Sequence, residues 1–251
     1  MQIKTVGVIG CGLMGSGIAQ VAAAAGYKTI VREVNQTLLD KGMGRIVRFL
    51  ETGMEKGKVT AQQRDTVVAN LTGTTSFGDL HECDLIIEAI VEHITDKASA
   101  YNSVEAVVRP HAIFASNTSS LCITELASQT KRPDKFAGLH FFNPVPLMKL
   151  VEVVRGLTTS DETHETLMAF TQSLGKEPVT APDKPGFIVN RLLIPYLLDA
   201  IRCYERGLGT IQDIDKSMQL GCGYPMGPLT LLDFVGLDTT YYIANIMFDE
   251  Y

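Results

Sequence analysis

The sequence predicts an α/β fold, a mostly parallel sheet covered by helices on both faces, followed by a smaller all-helical domain. Three observations carry that expectation. Short β-branched runs alternate with helical patterns to about residue 180, and a glycine-rich turn follows the first run directly. After about Pro182, helical patterns continue without an obvious strand.

The elements follow in order. Residues 3–9 (IKTVGVI) read as a strand, 13–25 (LMGSGIAQVAAAA) as a helix and 28–32 (KTIVR) as a second strand, which makes a βαβ unit. A long helical pattern runs from about Gln36 to Glu55. Strand-like runs DLIIEAI (84–90) and AIFASN (112–117) come next, with a helical stretch between them. The run FAGLH ends on His140, and KLVEVV places Glu152 on the same face as Leu150 and Val154. From Gly186 to Arg206 the chain is apolar on most of a helical circumference, which predicts a helix buried against several neighbours or across a subunit interface. The expected boundary separates an α/β domain, residues 1–183, from a helical domain, residues 184–251.

Composition narrows the functional classes. Hydrophobic residues at 45% and charged residues at 20% fit a soluble globular protein, and no apolar run approaches membrane-spanning length. The N-terminus, MQIKTVGVIGCG, enters a strand at once and leaves no room for a cleavable signal, so a cytoplasmic location is expected. The five cysteines are odd in number and widely spaced, with no C-x-x-C pair. Neither a disulfide framework nor a metal site is predicted. A net charge of −6 argues against nucleic acid as the main partner.

The turn after the first strand is Gly10-Cys11-Gly12-Leu13-Met14-Gly15, a G-x-G-x-x-G opening a helix. Its glycines permit a tight turn, close backbone approach to a pyrophosphate and close helix-to-strand packing, while the helix N-terminus offers amides to the anion. Leu13 and Met14 lie in the same loop and are expected beside the cofactor. Glu33 ends the second strand at the distance from the loop where an acid accepts hydrogen bonds from the adenosine ribose. Its carboxylate points to NAD, because it would repel a 2′-phosphate, although neighbouring Arg32 leaves NADP open.

Five polar residues stand out against apolar surroundings. Asn117 and Ser119 close a predicted strand, where ligands of open parallel sheets bind; Asn190 falls in the first turns of the long apolar helix. His140 and Glu152 sit in segments that otherwise ask for burial. A buried carboxylate is costly unless paired, and an imidazole is the partner that titrates near neutral pH. Without a cofactor loop, a lone histidine on an apolar strand reads as a satisfied core residue. Beside one, neutral imidazole suits removal of an alcohol proton, with the carboxylate fixing its tautomer.

The blocks GVIGCGLMG, DLIIEAIVE, ASNTSS, GLHFFNPVPLMKLVEVV, DKPGFIVNR and GYPMGPLTLLDFVGLDT together resemble the L-3-hydroxyacyl-CoA dehydrogenases, particularly the short bacterial 3-hydroxybutyryl-CoA dehydrogenases. The resemblance runs through nearly the whole chain. It implies a Rossmann-type domain and NAD-dependent interconversion of an (S)-3-hydroxyacyl-CoA, with 3-hydroxybutyryl-CoA the expected substrate, and the 3-oxoacyl-CoA. It further implies that His140 is the catalytic base, that Glu152 orients it, and that Ser119 and Asn190 contact the reacting oxygen. Ala89, Glu92, Lys97, Asn117, Ser119 and Asn143 are implied along the nicotinamide half of the cofactor. Family members continue into a further C-terminal segment, whereas this chain stops at Tyr251 inside a helical pattern, so the helical domain is expected to be incomplete.

Two alternatives stay open at this stage. One is an NADP-linked β-hydroxyacid dehydrogenase, which relies on a helical lysine and is disfavoured by the His140 and Glu152 arrangement. The other is a non-catalytic structural or NAD-sensing relative. Lys41, Arg45 and Arg48 share a helical face, with Lys56 and Lys58 beyond it. That stripe is either a solvated face or the holder of acyl-CoA phosphates, in which case Arg48 and Lys56 are the expected substrate contacts. The apolar helix after Gly186 favours a homodimer.

Overall fold

The computed structural model describes residues 2–250, and the chain divides into two compact units, Met1–Asp183 and Lys184–Tyr251. The first unit contains strands β1 (Thr5–Ile9), β2 (Lys28–Arg32), β3 (Leu71–Thr74), β4 (Leu85–Glu88), β5 (Ile113–Ser116), β6 (Phe136–Phe141), β7 (Leu150–Arg155) and β8 (Glu177–Pro182). Its helices are α1 (Leu13–Ala24), α2 (Gln36–Glu55), α3 (Ala61–Asn70), α4 (Ile94–Glu105), α5 (Ile123–Ser128) and α6 (Asp161–Ser173). The strands form one sheet in the order β3-β2-β1-β4-β5-β6-β7-β8. Every neighbouring pair is parallel except β6 and β7.

The central strands read clearly in the sequence because they are buried on both faces, as β1 and β4 are along their whole length. Strands β3 and β8 and helix α3 have no counterpart among the elements expected from the sequence. The two strands are the sheet edges, and LTGT and EPVTAP are largely exposed, so neither carries an apolar run. Helix α3 buries only Val67, and its start is marked by a capping box between Thr60 and Gln63.

Close approach at the glycine turn depends on its own Gly15 and on Gly42 of α2. A Cβ on Gly15 would stand 1.9 Å from the Gly10 carbonyl oxygen, and one on Gly42 would stand 2.2 Å from the Cys11 carbonyl oxygen. Gly42 thus lets α2 pack directly on the back of the turn. On the other side of the sheet the carboxylate of Asp183 accepts hydrogen bonds from the amides of Ile123 and Thr124, at 2.8 and 2.7 Å, and caps α5.

The second unit is helical: α7 (Val189–Glu205), α8 (Ile211–Cys222), α9 (Pro228–Val235) and α10 (Leu237–Glu250). Helix α7 starts later than the apolar pattern suggests, because Gly186 and Phe187 both have positive φ and turn the chain first. Within this chain α7 is also buried on one face only: Asn190, Ile194, Leu197 and Ala200 are buried, whereas Leu192 is 72% exposed. The GYPMGPLT block is explained by a cap. Asp215 accepts from the amides of Leu229 and Thr230, and a Cβ on Gly227 would stand 2.3 Å from its side chain. No helix among the described residues is long and apolar enough to cross a membrane.

Gly42→Ala is expected to destabilise the protein by about 1–3 kcal/mol, the usual cost of overpacking, and to weaken dinucleotide binding as the turn shifts. Denaturant unfolding and a fluorescence titration with NADH check the two effects.

Candidate active site

The loops that carry the site leave the C-terminal ends of β1, β2, β4, β5 and β6. Gly10, with φ of 96°, turns the chain out of β1 against the Ala89 carbonyl, where a Cβ would meet the oxygen at 2.6 Å. Gly12 caps α1 with no side-chain hydrogen bond, and a Cβ there would meet nothing within 4 Å. The first-turn amides, including those of Leu13 and Met14, therefore stand at open space, as a bound pyrophosphate requires. Glu33, directly after β2, accepts the Cys11 amide at 2.8 Å through Oε2 and the Val34 amide at 2.6 Å through Oε1. One carboxylate thus ties β2 to the turn. Burial, with Glu33 beside it, pushes the Cys11 thiol up to about 11, so that it stays protonated. Arg32 is engaged elsewhere: its guanidinium stacks 3.9 Å from the centre of the Phe77 ring.

At the ends of β4 and β5 lies a buried charge network that the sequence reading covered only in part. Lys97, 1% exposed, donates to Glu88 at 2.6 Å and pairs with Glu92 at 3.1 Å. Glu88 is fully buried and also accepts from the Ser116 hydroxyl at 2.7 Å and the Ile90 amide at 2.7 Å. Glu92 accepts from the Thr118 hydroxyl, from the Ser119 amide at 3.0 Å and from the Ser120 hydroxyl at 3.0 Å. Burial works against the Glu92 carboxylate, but Lys97 and these donors hold its pKa below the usual range. Lys97 therefore acts on the loop through Glu92. Glu88 was missed, although an acid closing the apolar run DLIIE invites the same argument as Glu152.

Asn117 accepts the Phe141 amide at 3.0 Å and locks the end of β5 to β6. His140 and Glu152 are direct partners in the β6 and β7 register. His140 Nδ1 lies 2.7 Å from a Glu152 carboxylate oxygen, and His140 Nε2 lies 3.1 Å from Ser119 Oγ. Glu152 is fully buried and His140 is 3% exposed. With Nδ1–H donated to the carboxylate, Nε2 of the neutral ring is left as the acceptor. Asn143 is exposed two residues beyond β6. Asn190 lies in the helical unit, buried in the first turn of α7. The described residues contain no group of His, Cys, Asp or Glu able to hold a metal ion.

A dinucleotide turn and a buried imidazole paired with a carboxylate define an NAD-dependent dehydrogenase. Comparison with known proteins makes the assignment narrower. Residues 5–184 match the NAD binding domain of 3-hydroxyacyl-CoA dehydrogenase, and residues 186–251 match its C-terminal domain. The chain belongs to the 3-hydroxyacyl-CoA dehydrogenase family. It is 50% identical over 249 residues to the mitochondrial hydroxyacyl-coenzyme A dehydrogenase of Sus scrofa, covering 97% of this chain and 79% of that protein. It is 47% identical to the 3-hydroxybutyryl-CoA dehydrogenase of Mycobacterium tuberculosis, covering 99% and 88% respectively. The crystal structure of (S)-3-hydroxybutyryl-CoA dehydrogenase from Ralstonia eutropha superposes with a TM-score of 0.95 at 41% identity, covering 99% of this chain and 88% of that one.

The Glu92 network sets a pH-dependent stability. A carboxylate whose folded pKa is depressed stabilises the fold above its unfolded value and loses that contribution as pH falls through the folded value. The stability gap between wild type and Glu92→Gln is therefore expected to be full at neutral pH and to shrink as pH drops below the ordinary value of 4.5. Urea unfolding across that range measures it.

Proposed function

We propose that this chain oxidises (S)-3-hydroxybutyryl-CoA to acetoacetyl-CoA and catalyses the reverse reduction, with His140 as the proton-transfer residue. The observation that carries the assignment is the single line of contacts from Glu152 through His140 to Ser119. In the oxidative direction the C3 hydroxyl proton passes to His140 Nε2. NAD, when bound, accepts the hydride. Glu152 stabilises the imidazolium that forms and keeps Nδ1 protonated throughout. Ser119 Oγ donates toward the substrate oxygen, and Asn190 is assigned the second contact to that oxygen. In reduction the imidazolium returns its proton to the 3-oxo oxygen. Ala89, Glu92, Lys97, Asn117 and Asn143 are assigned to the nicotinamide side, Lys97 through Glu92.

The acyl-CoA nucleotide is assigned to a cleft of 1180 Å3 in the first unit. Arg45, Arg48, Lys56, Lys58 and Lys149 line it, and no Asp or Glu does. The absence of acids from the lining favours a polyanion over a plain solvated face. Lys41, grouped with this stripe by helical spacing, is not on the lining. Arg45 is turned toward the glycine turn, donating to the Cys11 carbonyl at 3.4 Å and to Ser16 at 3.3 Å, and of the remaining cations on the lining Arg48 and Lys56 are assigned as phosphate partners. The helical unit exposes Leu220, Phe234, Leu237, Tyr241 and Phe248, a density of apolar side chains that supports homodimerisation through this unit. A cytoplasmic location completes the reading.

His140→Gln is expected to lower kcat by roughly 10²- to 10⁴-fold while leaving the NADH Kd nearly unchanged. Glu152→Gln should also shift the pH-rate profile, because an amide does not stabilise imidazolium. A near-native kcat in His140→Gln would overturn the assignment. Arg48→Ala or Lys56→Ala should raise KM for acetoacetyl-CoA with little change in kcat, and wild-type KM should climb with salt. A pantetheine thioester lacking the nucleotide is expected to respond to neither change.

A further inference from the structure

Lys176 takes no part in the chemistry above, yet it is the one buried cation on the cleft wall, 7% exposed. Its ammonium donates to the backbone carbonyls of Val145 at 2.6 Å and Met148 at 2.7 Å. Burial lowers its pKa, and no acid lines the cleft to offset the charge. A methionine would fill the same space without that desolvation cost. What the lysine supplies instead is a pair of charge-assisted bonds to one loop.

That loop, residues 142–149, joins β6 to β7 and so connects the strands of His140 and Glu152. The amides of Leu147 and Met148 both donate to the Pro144 carbonyl, so the loop is coiled on itself. Immediately after Lys176, the Glu177 amide donates to the Lys149 carbonyl at 2.8 Å. Val145 is buried against α1, where a Cβ on Gly17 would meet it at 2.8 Å. One end of the loop carries Asn143, and the other presents Leu147 and Lys149 to the cleft.

We propose that Lys176 is a positioning residue that clamps the 142–149 loop from beneath and thereby preorganises two binding surfaces at once, Asn143 for the cofactor and the cleft wall for the nucleotide of acyl-CoA. The proposal rests on the assignments of Asn143 and the cleft made under Proposed function. Its signature is one substitution with two binding phenotypes, since a loop freed of its clamp must be ordered anew by either ligand.

The test has three arms. In ligand-free wild type the amides of Leu147 and Met148 should be protected from hydrogen exchange; exchange at unprotected rates would mean that no clamp exists and would overturn the proposal without any variant. Lys176→Met should weaken NADH, titrated by fluorescence, and CoA, titrated by calorimetry, each roughly tenfold, while the pH-rate profile of turnover keeps its shape. Lys176→Arg keeps the charge but not the two-carbonyl geometry, and should weaken NADH as well. If CoA binding alone suffers, and only in Lys176→Met, the residue is cleft charge and not a clamp, and the proposal fails. If neither ligand responds, it fails outright. Failure of the cleft assignment reads differently: CoA binding would be indifferent to Lys56→Ala, whereas the NADH and exchange arms would still report on the loop.

Discussion

The chemistry proposed for this enzyme depends on one register, that of the antiparallel pair β6 and β7 in a sheet otherwise parallel. His140 faces Glu152 because Leu139 faces Val153 and Phe141 faces Val151. Those four neighbours belong to the main hydrophobic core, so the alternation that buries them sends the imidazole and the carboxylate to the opposite face together. A slip of one residue would set a valine against His140 and would expel core side chains at the same time. Hydrophobic burial thus enforces a polar contact it does not touch. The parallel neighbours of the pair, β5 and β8, cover its two edges and leave it no freedom to slide.

Around that pair the structure solves a second problem, how to hold a polar loop over a buried strand end. Glu88 and Glu92 share one ammonium, that of Lys97; Glu88 takes a further donor from Ser116 at the end of β5, and Glu92 takes donors from the loop between β5 and α5. The two acids share that one base, and hydroxyls and amides complete their hydrogen bonding. Asn117 and Ser119, both on that loop, are thereby set against β6 from one side, Asn117 through the Phe141 amide and Ser119 through the His140 ring. The same economy recurs at helix starts. Asp183 caps α5 and Asp215 caps α9, each accepting two adjacent amides from far along the chain.

Much of this was legible in the sequence, for physical reasons that can be traced to particular residues. The strands β1, β2, β4 and β5 are apolar because both their faces are covered, and the glycine turn is readable because only glycine lets a backbone pass that close to another. Glu33 was found by its distance from the turn, and His140 and Glu152 by their implausibility among apolar neighbours. Family-like blocks supplied Glu92, Lys97 and Asn143, whose surroundings alone would not have singled them out.

What the sequence by itself determined is therefore whatever short-range periodicity and backbone sterics express: the order of the central elements, the dinucleotide turn, and the presence of a polar pair that needed each other. The tertiary structure decided the rest. It placed the exposed edge strands β3 and β8, stacked Arg32 on Phe77, brought Glu88 to Lys97, and set Lys176 beneath a loop some thirty residues away, 31 from Val145 and 28 from Met148. Each of these is a contact between segments whose local patterns are indifferent to one another. The energy that selects them arises only when burial removes water and leaves a charge or an amide with a single available partner.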